Sequence, residues 1–74
     1  MEKMKYTVTI GSDSFEVEAK DNQEARYDAS KQFKEKYKLE ASALDISNFA
    51  STRLMLEKFS YTTEELIKIL TKES

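Results

Sequence analysis

Cysteine, histidine, tryptophan and proline are missing from the 74 residues, and glycine occurs once. Without Cys or His the chain cannot build a zinc finger, a disulfide scaffold, a thiol nucleophile or a Ser-His-Asp triad. One Gly is too few for a loop that cradles phosphates with its backbone. Long apolar runs are missing too. The longest is Leu54-Met55-Leu56, far short of the ~20 residues that span a bilayer, and the opening MEKMKY has no apolar run of signal-peptide length. These absences predict a soluble, cytoplasmic protein with no cofactor, no metal and no membrane partner. Charge of one sign is also lacking. Twelve basic and 14 acidic residues leave a net charge of −2, which argues against bulk capture of nucleic acid while leaving room for a local basic stripe.

What is present is periodic. Apolar residues are 39% and charged residues 35% of the chain, a lean composition, but the apolar residues cluster in patterns that disordered chains do not show. Residues 1–74 are expected to form one small domain. A domain of this size buries only about 60% of its unfolded surface, so self-association is a natural supplement and a homodimer stays open.

Residues 4–10, MKYTVTI, alternate with Tyr6, Val8 and Ile10 on one side. Residues 15–19, FEVEA, place Phe15, Val17 and Ala19 on one side and Glu16 and Glu18 on the other. Period-two alternation with β-branched and aromatic residues marks two strands, about 4–10 and 15–20, and the intervening GSDS marks a hairpin. A turn at Ser12 and Asp13 would pair Ile10 with Phe15, Val8 with Val17 and Tyr6 with Ala19, all on one buried face.

Asp21 followed by Glu24 resembles a capping box and predicts a helix over about 22–38. Its acidic residues come early and Lys34, Lys36 and Lys38 come late, as the helix dipole favours. Ala25, Ala29, Phe33 and Tyr37 form its apolar stripe. Residues 39–61 read less clearly. Ser42 to Asp45 could cap a short helix through Ile46. From 49 to 59, Phe49, Thr52, Leu56 and Phe59 follow helical spacing, and a helix is favoured there; a buried third strand is the alternative. Thr62-Thr63-Glu64-Glu65 is a capping box that predicts a helix over about 63–72, with Leu66, Ile69 and Leu70 as its stripe. The fold class is therefore α+β, with helices laid on the apolar face of a small antiparallel sheet.

The candidate functional residues lie on the first helix. At 100° per residue, Tyr27, Lys31, Lys34 and Lys38 fall within about 60° of one another. An aromatic ring followed by ammonium groups could track a phosphate backbone or meet an acidic partner. The ordinary alternative is a solvated face whose lysines complement the dipole. Arg26 borders the apolar arc, and Arg53 lines up with Phe49 and Leu56 if that segment is helical. Each is a candidate interface residue or a stem laid over the core with its head paired at the rim. No carboxylate pair sits in a distinctive apolar setting, and a chain of this length rarely forms a catalytic cleft. The expected function is a non-enzymatic protein–protein interaction or regulatory module. The alternative is a nucleic-acid binder using the basic and aromatic helix face.

Overall fold

The computed structural model describes residues 2–52 and 61–73. The chain enters as strand β1 (Met4–Ile10), turns back at Gly11 and Ser12, and returns as β2 (Asp13–Ala19). Gly11 has φ +62° and Ser12 does not share the left-handed region, as a hairpin turn with Gly at its first central position requires. The turn thus falls one residue earlier than Ser12 and Asp13. The register moves by two in consequence: Ile10 faces Asp13, Val8 faces Phe15, Tyr6 faces Val17 and Met4 faces Ala19. A shift of two keeps every side chain on its expected face. Val8, Ile10, Val17 and Ala19 are buried, and Tyr6 and Phe15 pack partly buried beside them.

Helix α1 (Asn22–Tyr37) begins where Asp21, in extended conformation, accepts a bond from the Glu24 N–H at 2.8 Å. It ends at Lys38, whose left-handed φ of 53° lets the Leu39 N–H return to the Lys34 carbonyl at 3.0 Å, the usual way a helix closes its last turn. Ala25, Ala29 and Phe33 are fully buried against the sheet. The small alanines bring the backbone close, and Phe33 then fills the space between Phe15 (ring centroids 6.3 Å apart, edge-on) and Tyr37 (4.9 Å). Ser30, also buried, donates its hydroxyl to the Arg26 carbonyl four residues back, which satisfies it without an outside partner.

The middle of the chain forms the short helix and then a brief third strand. Ser42 caps α2 (Ala43–Ser47) by accepting from the Asp45 N–H at 3.1 Å, and Ile46 is buried. The favoured helix from 49 onward is not formed at its start. Phe49 and Ala50 close a turn onto Ile46 and Ser47. Ser51 and Thr52 then form strand β3, antiparallel to β1, with Val8 facing Thr52 and Thr9 facing Ser51. The sheet order is β2-β1-β3, so the third strand covers β1's second edge. Ala50, Ser51 and Thr52 are buried; their small or β-branched side chains suit a strand in that tight position. The remainder of the expected helix, with Arg53, Leu56 and Phe59, lies outside the described residues.

Helix α3 (Thr63–Glu73) begins with the reciprocal box read from its sequence. The Thr62 N–H donates to Glu65 Oε1 at 3.0 Å, and the Glu65 N–H donates to Thr62 Oγ1 at 3.1 Å. The Thr62 N–H and hydroxyl together hold the Glu65 carboxyl below its ordinary value. Leu66 and Leu70 are buried in the shared core. The hairpin turn meets the start of α3. The Ser12 N–H donates to Thr63 Oγ1 at 2.9 Å, and the Thr63 N–H donates to Ser12 Oγ at 3.3 Å. A Cβ on Gly11 would come within 2.7 Å of Thr63 Cα, so this contact needs glycine for its space as well as its φ.

Candidate functional site

The five described candidate residues do not form one surface. Arg26 is half-buried and points across to α2. Its Nε donates to the Ala50 carbonyl at 3.0 Å and its Nη2 to the Ser47 carbonyl at 2.7 Å. The guanidinium thus adds charge-assisted bonds to the last carbonyl of α2, which also accepts from the Ala50 N–H, and to the Ala50 carbonyl just beyond it. This is the rim-pairing role, achieved on main chain rather than on a carboxylate.

Lys34 departs from the exposed stripe. It is half-buried, and its Nζ donates to the carbonyls of Leu39 (3.0 Å) and Ala41 (2.7 Å). The lysine therefore pins the loop from α1 to α2. Lys38 is exposed, but its backbone ends the helix. Lys31 is exposed, with Nζ 3.9 Å from Asp28 Oδ1 and 5.0 Å from the centre of the Tyr27 ring. Of the stripe, Tyr27 and Lys31 form one local pair, and Lys34 and Lys38 belong to the helix ending. Arg53 lies outside the described residues.

Tyr27 retains its predicted exposure, at 41%. Beside it is a residue the sequence did not single out. Leu44 on α2 is 63% exposed, the largest exposure among the described large apolar side chains. The two border an open groove of about 310 Å³ between the N-terminal half of α1 and α2, also lined by Asp21, Gln23, Glu24 and Ser47. A neighbouring hollow shares Asp21, Gln23, Leu44 and Ser47 with it and is lined by Arg26 and Asn48 as well. The Arg26 and Lys34 bonds fix the two walls in relation to each other. Position 44 gave some warning in the sequence: Ser42 as N-cap and Ile46 as the inward residue turn Leu44 away from the core on a helix of this length.

A second cluster also escaped sequence reading. Asp13, at the start of β2, accepts hydrogen bonds from the Tyr37 hydroxyl and from Thr63 Oγ1 (3.3 Å), with Lys36 Nζ at 3.5 Å. The Tyr37 hydrogen bond, assisted by Lys36 and Thr63, holds the Asp13 carboxyl below its ordinary value. The same carboxylate raises the Tyr37 phenol and the Lys36 ammonium above theirs. Near neutrality the acid is thus ionised, and the phenol and amine are protonated. The cluster ties β2, α1 and α3 together.

Among the described residues no group of three acidic side chains is placed to hold a metal ion, and no helix is long and apolar enough to cross a membrane. No protein-family model matches the chain, and neither a curated protein nor a solved structure matches it.

Proposed function

We propose that this chain is a non-enzymatic protein-interaction module, working in the cytoplasm, whose contact surface is the groove bordered by Tyr27 and Leu44. The observation that carries this reading is the pairing of two exposed apolar side chains across a frame held rigid from below. Small domains expose single apolar residues routinely. Two lining one concave surface, one of them a tyrosine, fit the anchor of a protein interface. The frame supports specificity as well, since Arg26 and Lys34 lock α2 against α1 before any partner arrives, lowering the ordering cost of association.

The same geometry weakens the nucleic-acid alternative. A phosphate-tracking face needs ammonium groups free to approach successive phosphates. Lys34 is committed to main-chain carbonyls, and Lys31 stands between Asp28 and the Tyr27 ring. The lining of the groove adds Asp21 and Glu24, which repel a polyanion.

A photoreactive side chain at position 44, compared with one at the exposed Lys68 on α3, tests the reading in extracts of the native source. A discrete protein adduct is expected from position 44 and not from 68. Identical adducts from both positions, or adducts with nucleic acid, would refute it. A fluorescence titration with single-stranded DNA and RNA at low salt should show no saturable binding.

A further inference from the structure

A separate surface lies at the side of the sheet. β2 is an edge strand seven residues long, unbroken by Pro or Gly. Its hairpin loop has two residues, so the closing pair Ile10 and Asp13 exchanges hydrogen bonds, and alternate pairs do so thereafter. The main-chain groups of Asp13, Phe15, Val17 and Ala19 accordingly turn to β1. Those of Ser14, Glu16 and Glu18 turn outward, where no described residue pairs with them. All three are exposed. An unpaired row of N–H and C=O groups on an edge strand is a template for another strand.

The side chains on this edge select the occupant. A second copy is a poor one. When two β2 strands run antiparallel and overlap along their length, the two-fold axis sets Glu16 against Glu16 or Glu18 of the second copy, and like charges directly opposite each other destabilise a sheet. A strand carrying Lys or Arg at alternate positions meets the reverse situation. Its cations lie opposite Glu16 and Glu18 on the solvent face. Its intervening residues continue the apolar face beside Phe15, which is only partly buried, and Val17.

We propose that the edge of β2 away from β1, which no described residue pairs, binds an extended protein segment by strand addition, and that the segment has alternating basic and apolar residues. This surface is independent of the Tyr27–Leu44 groove, so either can fail alone.

The test uses the isotope-labelled full chain and three synthetic peptides as long as β2. One alternates Lys and Val, one alternates Glu and Val, and the third is the basic peptide methylated on the alternate backbone nitrogens that would pair with β2. The basic peptide should shift the amide signals of Ser14, Glu16 and Glu18 and slow their hydrogen exchange, leaving those of Tyr27 and Leu44 in place. The acidic peptide should bind at least about tenfold more weakly, from the sum of two reversed charge pairs, and the methylated one should not bind. A double Glu16→Gln, Glu18→Gln variant should abolish the preference between the first two; both positions are exposed, and the neutral amides set no like charge against Lys5, which faces position 18, so the fold should tolerate the change. Equal binding of the methylated peptide would show charge attraction without strand pairing and overturn the proposal. So would equal affinity for acidic and basic peptides, or shifts confined to the groove.

Discussion

Replacing Gly11 with Ala should damage the fold by two routes that can be separated. The first is backbone strain. At φ +62° an L-alanine loses about 1 kcal/mol relative to glycine. The second is contact. The new methyl would lie within 2.8 Å of both the backbone N and the Oγ1 of Thr63, and a helix backbone does not yield as a flexible side chain would. The turn must therefore lift off α3, breaking the two bonds between Ser12 and Thr63, each worth about 0.5–1.5 kcal/mol net. Together these give a loss of about 2–4 kcal/mol, a large share of a small domain's stability. At roughly 4–8 °C per kcal/mol for this size, the melting temperature should fall by on the order of 10–25 °C in a thermal scan followed by circular dichroism. A synthetic chain with D-alanine at position 11 separates the routes, because it accepts the positive φ and aims its methyl elsewhere. It should melt close to the wild type. A melting temperature within about 2 °C of wild type for Gly11→Ala would refute the contact between the turn and α3.

Other substitutions probe the remaining supports. Phe33→Ala removes a fully buried ring and should cost about 3–5 kcal/mol by chemical denaturation. Lys38→Gly relieves a left-handed residue and should raise stability by about 0.5–1 kcal/mol, visible as a higher melting temperature. Arg26→Met keeps the stem but removes two charge-assisted bonds; a loss of about 2 kcal/mol is expected, against no more than about 0.5 kcal/mol for Lys31→Gln. The Asp13 cluster predicts a pH dependence. Because folding lowers the Asp13 pKa from 3.8, its contribution is present above that value and disappears as pH falls through the lowered one. Tyr37 and Lys36 shift upward, so theirs are present below 10.0 and 10.5 and disappear as pH rises through the raised values. The stability difference between wild type and Asp13→Asn should therefore be flat across neutral pH and shrink in acid below about pH 4.

The parts of this fold legible in the sequence are those fixed by local periodicity and local hydrogen bonds. The alternation in MKYTVTI and FEVEA, the Ala25 to Tyr37 stripe and the caps at Asp21, Ser42 and Thr62 each need only neighbours within four residues. The hairpin register differs by two from the one the pattern suggests because Gly11 sits in the turn rather than before it. Strand β3 competes with helix propensity in the residues that follow it, and only the bare edge of β1 decides between them. The main-chain bonds of Lys34 and Arg26 escape the sequence for a different reason. Their partners are main-chain carbonyls, which every residue carries, so no side-chain pattern announces them. Asp13 and Tyr37 are 24 residues apart and meet only after the sheet and α1 pack. Tyr27 was legible as an exposed ring without a core role, but its counterpart across the groove required α2 to be placed.

The claim that the Tyr27–Leu44 groove is the contact surface is tested most directly by the crosslinking yield from position 44 when Tyr27 is replaced by Ala. Tyr27 is exposed, so the variant should keep its fold within about 0.5 kcal/mol. The account predicts that the partner adduct falls to about a tenth or less, the loss expected for an aromatic anchor. An undiminished adduct from a chain that still melts like the wild type would contradict it.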